Sequence, residues 1–282
     1  MNCSAPIPRV AVLGTNEIAS AVAVHLRSAG WQVVLCHDAF PPVIRRGMAF
    51  HDALFGDRRV IAGVLGARAE TAAEIAAECA APDRVAVTAL PLADLAAIRS
   101  LAVVIDARMQ KRRTAPDLRG IANLTIGLGP LFRVGSNCDI AVETRPARNG
   151  QVLTSGATDE ADGISSPLGG AGRERFAYSD RPGRWHTPVD IGARVFRNFV
   201  VGHCDGAPVR APLDGVVRGI VRDGLQVPAA VKLVEIDPRG CNARWTGIDD
   251  RGRAIAEATV RAMRIGSQRP ADLNLIDARL PA

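Results

Sequence analysis

The stretch Leu124-Thr125-Ile126-Gly127-Leu128-Gly129-Pro130 divides this chain into two halves of different periodicity. Before it, short apolar runs alternate with segments of helical spacing, the pattern of a parallel sheet with crossover helices. After it, helical spacing almost vanishes and Gly, Pro, Arg and Asp take over. Residues 124–126 read as a buried strand that Gly127, Gly129 and Pro130 end, because glycine tolerates positive φ and proline cannot donate to a ladder. Such a break beyond the carboxyl end of a parallel strand is where open α/β sheets bind ligands. The spacing alone favours a tight inter-domain turn.

The first half opens with Arg9-Val10-Ala11-Val12-Leu13, a short apolar strand ending at Gly14. A helix is predicted over 17–29, closed by Gly30, with the next strand over 31–36. This is a βαβ unit with an acidic residue, Asp38, just beyond its second strand. The free N–H groups of the helix amino terminus would face an anion near Gly14 and Thr15. The dinucleotide fingerprint is incomplete, however. Asn16 stands where glycine would allow close pyrophosphate approach, and Glu17 adds a carboxylate, so both argue against ordinary NAD(P) binding.

Past Pro41-Pro42, residues 43–55 have helical spacing of Ile44, Met48, His51 and Phe55. Arg45 and Arg46 would then leave that helix on different sides, one reaching an anion at the sheet edge and the other facing water. His51 reads as part of a packed face. Further strands are predicted at 60–65, 85–87 and 101–106, with helices around 71–80 and 92–99. Asp106 and Arg108 follow the apolar run 101–105, which makes Asp106 either a site residue at a strand end or a cap for the next turn. The Lys111-Arg112-Arg113 cluster reads as solvated.

Residues 145–189 are rich in Gly, Ser, Asp, Arg and Pro, and Gly169-Gly170-Ala171-Gly172 marks a loop, mobile or ordered on a ligand. Beyond it come two similar half-units, 191–202 and 209–236, of short strands joined by Asp-Gly and Ile-Gly turns. That is the pattern of a small all-β barrel-sandwich of the biotinyl/lipoyl type. The tip joining the halves, Gly202-His203-Cys204-Asp205-Gly206, has no lysine to carry a swinging arm. Adjacent His203 and Cys204 would face opposite sides of a strand. A last helix is predicted over 251–263, capped by Asp249-Asp250.

The formal charge of +6 comes almost wholly from arginine, since only Lys111 and Lys232 are lysines. Arginine forks suit carboxylates and phosphates. Nucleic acid is disfavoured: the arginines are dispersed, and one tyrosine with seven phenylalanines offers little stacking surface. Six cysteines without a Cys-x-x-Cys pair predict neither a zinc site nor a disulfide framework. No leader pattern opens the chain and no apolar run nears the roughly 20 residues of a membrane span, so a reduced, cytoplasmic protein is expected.

Taken together, the first Gly loop, Ile44-Arg45-Arg46 with Ala49-Phe50 and Ala53, and Val104-Ile105-Asp106-Ala107-Arg108 carry a family resemblance. It continues through Ile126-Gly127-Leu128-Gly129-Pro130, Glu143-Thr144, Pro208-Val209-Arg210-Ala211-Pro212, Asp214-Gly215-Val216, Lys232 and Ile236-Asp237-Pro238-Arg239. Over most of its length the chain resembles the YqeB-like accessory proteins found with selenium-dependent molybdenum hydroxylases. Their sheet domain is similar in turn to the Rossmann part of XdhC-like maturation factors. Two departures stand out. Gly14-Thr15-Asn16-Glu17-Ile18-Ala19-Ser20-Ala21 replaces a glycine-richer loop, and Arg145-Pro146-Ala147-Arg148 follows Glu143-Thr144 where the family has Arg-Gly-His. The lost histidine was the obvious acid–base or metal candidate.

The resemblance implies an α/β protein with four parts: a Rossmann-like cofactor-binding domain over 1–145, a connecting segment over 146–190, a barrel-sandwich over 191–240, and a helix and tail over 241–282. It implies a maturation factor that binds a phosphate-bearing molybdenum cofactor, molybdopterin or its nucleotide form, for insertion into a molybdenum hydroxylase. Its partners would be that client, cofactor-synthesis proteins and other copies of itself, without nucleic acid, membrane or metal. The expected cofactor-binding set is Gly14, Thr15, Asn16, Asp38, Arg45, Arg46, Asp106, Arg108, Gly127, Gly129 and Glu143; no catalytic residue is assigned. An NAD(P)-dependent oxidoreductase, with Asp38 on the ribose and Asp106 or Glu143 near the chemistry, and a scaffold with a vestigial pocket are the alternatives.

Overall fold

A computed structural model describes residues 9–98, 101–111, 113 and 115–267. The chain runs β1 (Arg9–Leu13), α1 (Glu17–Ser28), β2 (Gln32–Cys36), β3 (Arg59–Ile61), β4 (Val64–Arg68), α2 (Ala72–Ala80), β5 (Arg84–Thr88), α3 (Leu92–Ile98), β6 (Leu101–Asp106), β7 (Ala122–Leu128), β8 (Ile140–Val142) and β9 (Val152–Leu153). It continues through β10 (Phe176–Tyr178), β11 (Gly183–His186), β12 (Arg194–Val195), β13 (Val200–Cys204), β14 (Ala207–Arg210), β15 (Gly215–Ile220), β16 (Gln226–Val227), β17 (Lys232–Asp237) and α4 (Asp250–Ser267).

The first nine strands form one sheet of order β3-β4-β5-β2-β1-β6-β7-β8-β9. It is parallel except at its two edges, where β3 pairs with β4 and β9 with β8 antiparallel. Val10 and Val12 pack with Ile18, Val22 and Leu26 of α1 on one face. Ala11 and Leu13 pack with Ile75 and Leu95 of α2 and α3 on the other. Alternate residues of β1 thus feed two different cores, which is why such strands read as unbroken apolar runs.

α4 returns from the far end of the chain to this sheet. Its Ile255, Ala256, Ala258, Ala262 and Met263 join the α1 core. The Asp249 carboxylate accepts from the Gly252 N–H at 2.8 Å, so the predicted Asp cap is the first of the two aspartates.

The second half builds two antiparallel four-stranded sheets, β10-β17-β15-β12 and β14-β13-β11-β16. They enclose a separate core around Trp185, Val201, Ile220, Leu233 and Ile236. Trp185 is fully buried and its indole N–H donates to the Val221 carbonyl at 3.0 Å. His203 is exposed and Cys204 buried, as their adjacency on a strand requires.

Three expectations are corrected here. Residues 43–55 form no α-helix but two 3-10 turns, Arg46–Met48 and His51–Phe55. The spacing that suggested a helix comes from side chains reaching separate neighbours. Next, β7 does not stop at Ile126: Gly127 stays in register with Ala141 of β8 and the strand runs to Leu128. Gly127 is needed because a Cβ there would land in the Phe132 ring. Finally, the Gly- and Arg-rich stretch after Arg145 contributes β9, β10 and β11, and the three glycines at 169, 170 and 172 sit in and beside a turn closed by a bridge between Leu168 and Ala171. These strands are too short to register as alternation in the sequence.

Candidate anion-binding cleft at the strand carboxyl ends

The strand order reverses between β1 and β6, where Leu13 lies opposite Asp106. A crevice outside the strand ends at such a reversal is the usual ligand position of open α/β sheets. The structure therefore brings Gly14, Thr15 and Asn16 together with Asp106 and Arg108. Gly14 has φ +106° and its N–H donates to the Cys36 carbonyl at 2.7 Å. A Cβ on it would approach the Ala107 carbonyl oxygen to 3.1 Å.

Asn16 decides what this loop can hold. Its side-chain oxygen accepts from the N–H groups of Ile18 and Ala19, at 2.9 and 3.0 Å, and its amide donates to the Ala107 carbonyl at 2.8 Å. The helix amino terminus that was expected to face an anion is capped by the protein itself. Thr15 is buried, with its hydroxyl 2.9 Å from His51 Nδ1 and 3.4 Å from His37 Nδ1. Burial, followed by His37, Arg46 and Arg222, pushes the His51 pKa down to about 3, so its imidazole is neutral.

The acidic candidates are engaged as well. Arg108 forks onto Asp106, with Nη2–Oδ2 at 2.6 Å and Nε–Oδ1 at 3.0 Å, and reaches Asp38 at 3.3 Å. Asp38 also accepts from Gln110 at 3.2 Å and from the Phe40 N–H at 2.9 Å. Glu143 is fully buried and accepts three backbone N–H groups, from Thr144, Arg145 and Asp159, within 2.8 Å. It ties the end of β8 to the following loop. Gly129 lies beside the Met109 and Thr144 side chains.

Arg45 and Arg46 depart furthest from expectation: neither faces water. Arg45 grips Glu235 through Nε at 2.7 Å and Nη2 at 3.0 Å, and Glu17 through Nη1 at 3.1 Å. Arg46 donates to Asp52 at 2.7 Å and to the Ile220 carbonyl at 2.9 Å. Their side chains are 14% and 12% exposed, and a guanidinium that buried needs a carboxylate. The pair consequently joins the sheet to the antiparallel half.

Glu235 is the residue sequence reasoning missed. Besides Arg45 it receives Arg175 Nε at 3.0 Å, with Arg218 Nε 3.9 Å away. Burial opposes its ionisation, yet Arg45 and Arg175 outweigh that and hold its pKa near 2. A single carboxylate inside an apolar strand gave no sign of three arginine partners from elsewhere in the chain.

Lys232, on the same strand, has its ammonium 3.5 Å above the Phe176 ring, while Arg175 approaches that ring to 4.4 Å. Its pKa is depressed to about 7, by burial first, then by Lys111 and Arg45, with Glu235 opposing and Arg175 adding to the depression. Arg251, which donates to the Thr144 carbonyl at 3.4 Å, is likewise lowered by burial and by Arg45, against Glu17 and Asp249. Lys111 follows β6, and Thr144, whose carbonyl accepts from Arg251, follows β8. Among the described residues, no group of three or more His, Cys, Asp or Glu side chains is placed to hold a metal. Nor is any described helix long and apolar enough to cross a membrane.

This α/β architecture with appended antiparallel sheets has a relative in sequence. The chain is 32% identical over 257 residues to the uncharacterized protein YqeB of Escherichia coli (strain K12), which supports a YqeB-like family. The match takes in 90% of this chain, which spans about half (47%) of the length of that relative. No family model matches the chain. Among solved structures, an aspartoacylase family protein from Mesorhizobium loti aligns at 12% identity and TM-score 0.27, covering 82% of this chain and 85% of that one. The product-bound ectoine utilization protein EutE (DoeB) from Ruegeria pomeroyi aligns at 10% identity and TM-score 0.24, covering 76% and 61%. Likeness that slight carries neither fold nor chemistry to this chain.

Proposed function

We propose that this chain is an accessory protein that holds a phosphate-bearing molybdenum cofactor for delivery to a molybdenum hydroxylase, with the phosphate seated in the cleft between the strand carboxyl ends and β17. In this reading the two halves are a Rossmann-like domain and a barrel-sandwich. The molybdenum assignment rests on the motif resemblance. One feature supports an anion: the Lys232 ammonium sits over the Phe176 ring, where burial, then Lys111, Arg45 and Arg175, lower its pKa against Glu235. A phosphate there would restore that charge and form charge-assisted hydrogen bonds.

The anchoring residues proposed are Lys232 and Arg251, because Asn16 already caps α1 and Arg45 and Arg46 already hold carboxylates. This chain's own contribution is to bind and orient the cofactor and to exclude water. The test is titration of purified protein with molybdopterin and its nucleotide form. Saturable binding that Lys232→Met weakens at least tenfold, together with loss of client activity on deletion, supports the reading. Absence of binding and an unaffected client would end it.

Asn16 favours a second reading, a scaffold whose nucleotide pocket has closed. On that reading no small ligand raises the melting temperature. The same closure, with both Asp38 oxygens engaged, disfavours an NAD(P)-dependent oxidoreductase, which NADH titration followed by tryptophan fluorescence checks.

A further inference from the structure

A separate cavity of about 240 Å³ lies where four distant stretches meet: the turn at Arg46, edge strand β3, the loop before β12 and the loop after β17. Arg46 and Arg59 line it together with Asp190, Ile191 and Trp245. None of these besides Arg46 belongs to the cleft set above.

The charges behind the wall are unevenly matched. Asp52 is buried, and three guanidinium groups surround it: Arg46 at 2.7 Å, Arg222 at 3.6 Å and Arg59 at 3.8 Å. Arg46 alone makes a hydrogen bond to it, and Arg222 turns to Asp57 at 2.6 Å. Arg59 Nε is buried without a hydrogen-bond partner, as is Asp52 Oδ1. That Nε is closed to solvent, whereas the Arg59 side chain as a whole is 35% exposed and lines the cavity, so a ligand carboxylate would meet the outer nitrogens of its fork.

We propose that this cavity is a binding site for a small organic monocarboxylate, held by Arg59 with its apolar body against Ile191 and Trp245. The planar fork of an arginine matches a carboxylate. Asp190 on the wall opposes a dianion such as phosphate, which sets this site apart from the cleft. The volume falls below the roughly 300 Å³ at which pockets for drug-sized ligands begin, so a dinucleotide is excluded and a ring-sized acid fits.

The probes are benzoate, its uncharged analogue benzamide, and inorganic phosphate, followed by tryptophan fluorescence and calorimetry. Benzoate is expected to bind saturably, with benzamide and phosphate at least tenfold weaker. Trp245→Phe should remove the fluorescence change while heat is still released. Arg59→Gln should weaken benzoate at least tenfold, and Asp190→Asn should tighten it, a direction that damage to the fold does not produce. Lys232→Met should leave benzoate binding unchanged, so this site and the cofactor cleft fail separately. No saturable benzoate binding, equal binding of benzamide, or an Arg59→Gln isotherm matching wild type overturns the proposal.

Discussion

Arg45 and Glu235 form a two-point ion pair, Nε–Oε2 at 2.7 Å and Nη2–Oε1 at 3.0 Å, across 190 positions of sequence. Glu235 has no exposed surface, and its other oxygen contact is Arg175. The pair links the turn after β2 to the centre of an antiparallel sheet and so ties the two halves together.

Removing the acid should be expensive. Glu235→Gln leaves Arg45, Arg175 and Arg218 without their common carboxylate, and breaking a buried pair from one side costs about 3–5 kcal/mol. The midpoint of urea unfolding measures this. The pair also sets an acid limit: a folded pKa near 2, against about 4.3 unfolded, means the stabilisation is complete above about pH 4.3. It is lost as pH falls toward 2. The variant should lack that part of the acid slope.

Lys232 should give the opposite end of the pH profile. Its folded pKa near 7 lies below the roughly 10.4 of an unfolded lysine, so between those values the unfolded chain binds more protons. Stability should therefore rise with pH from about 7 to 10 on account of this residue. Urea midpoints across that range should show the rise in wild type and a smaller one in Lys232→Met. A phosphate ligand in the cleft should flatten it by restoring the charge.

Asn16→Ala should cost about 0.5–2 kcal/mol, the usual loss for an N-cap, since two N–H groups of α1 lose their acceptor. Its ligand affinity should stay as in wild type if the phosphate sits by Lys232. A gain in nucleotide binding would place the anion at the helix terminus instead.

Gly127→Ala should destabilise by about 1–3 kcal/mol through overpacking against Phe132. Gly127→Ala combined with Phe132→Leu should recover part of the loss, as thermal unfolding will show.

Among the five described cysteines, Cys241 alone is exposed. Burial pushes the thiols of Cys36 and Cys138 up to about 12, so they hold little thiolate at neutral pH. Iodoacetamide under native conditions should label Cys241 and spare Cys36, Cys79, Cys138 and Cys204, as peptide mass spectrometry will report.

The sheet was readable because its signals are local. Residues 9–13, 17–29 and 101–106 each carry their own apolar pattern, and β1, α1 and β6 fall on them within a residue. The turn residues before α4 and in the β13–β14 hairpin are local in the same way. Strand pairing at the reversal of β1 and β6 follows once those elements exist, and it sets Leu13 opposite Asp106. By contrast, nothing near Arg45 in sequence says that its partner is Glu235, and nothing near Asn16 says that its amide will meet Ala107. The cleft and the cavity are both defined by side chains from separate strands and loops. Apolar periodicity records which way each segment faces, whereas a charge pair forms only where the tertiary fold closes two such faces and excludes water between them.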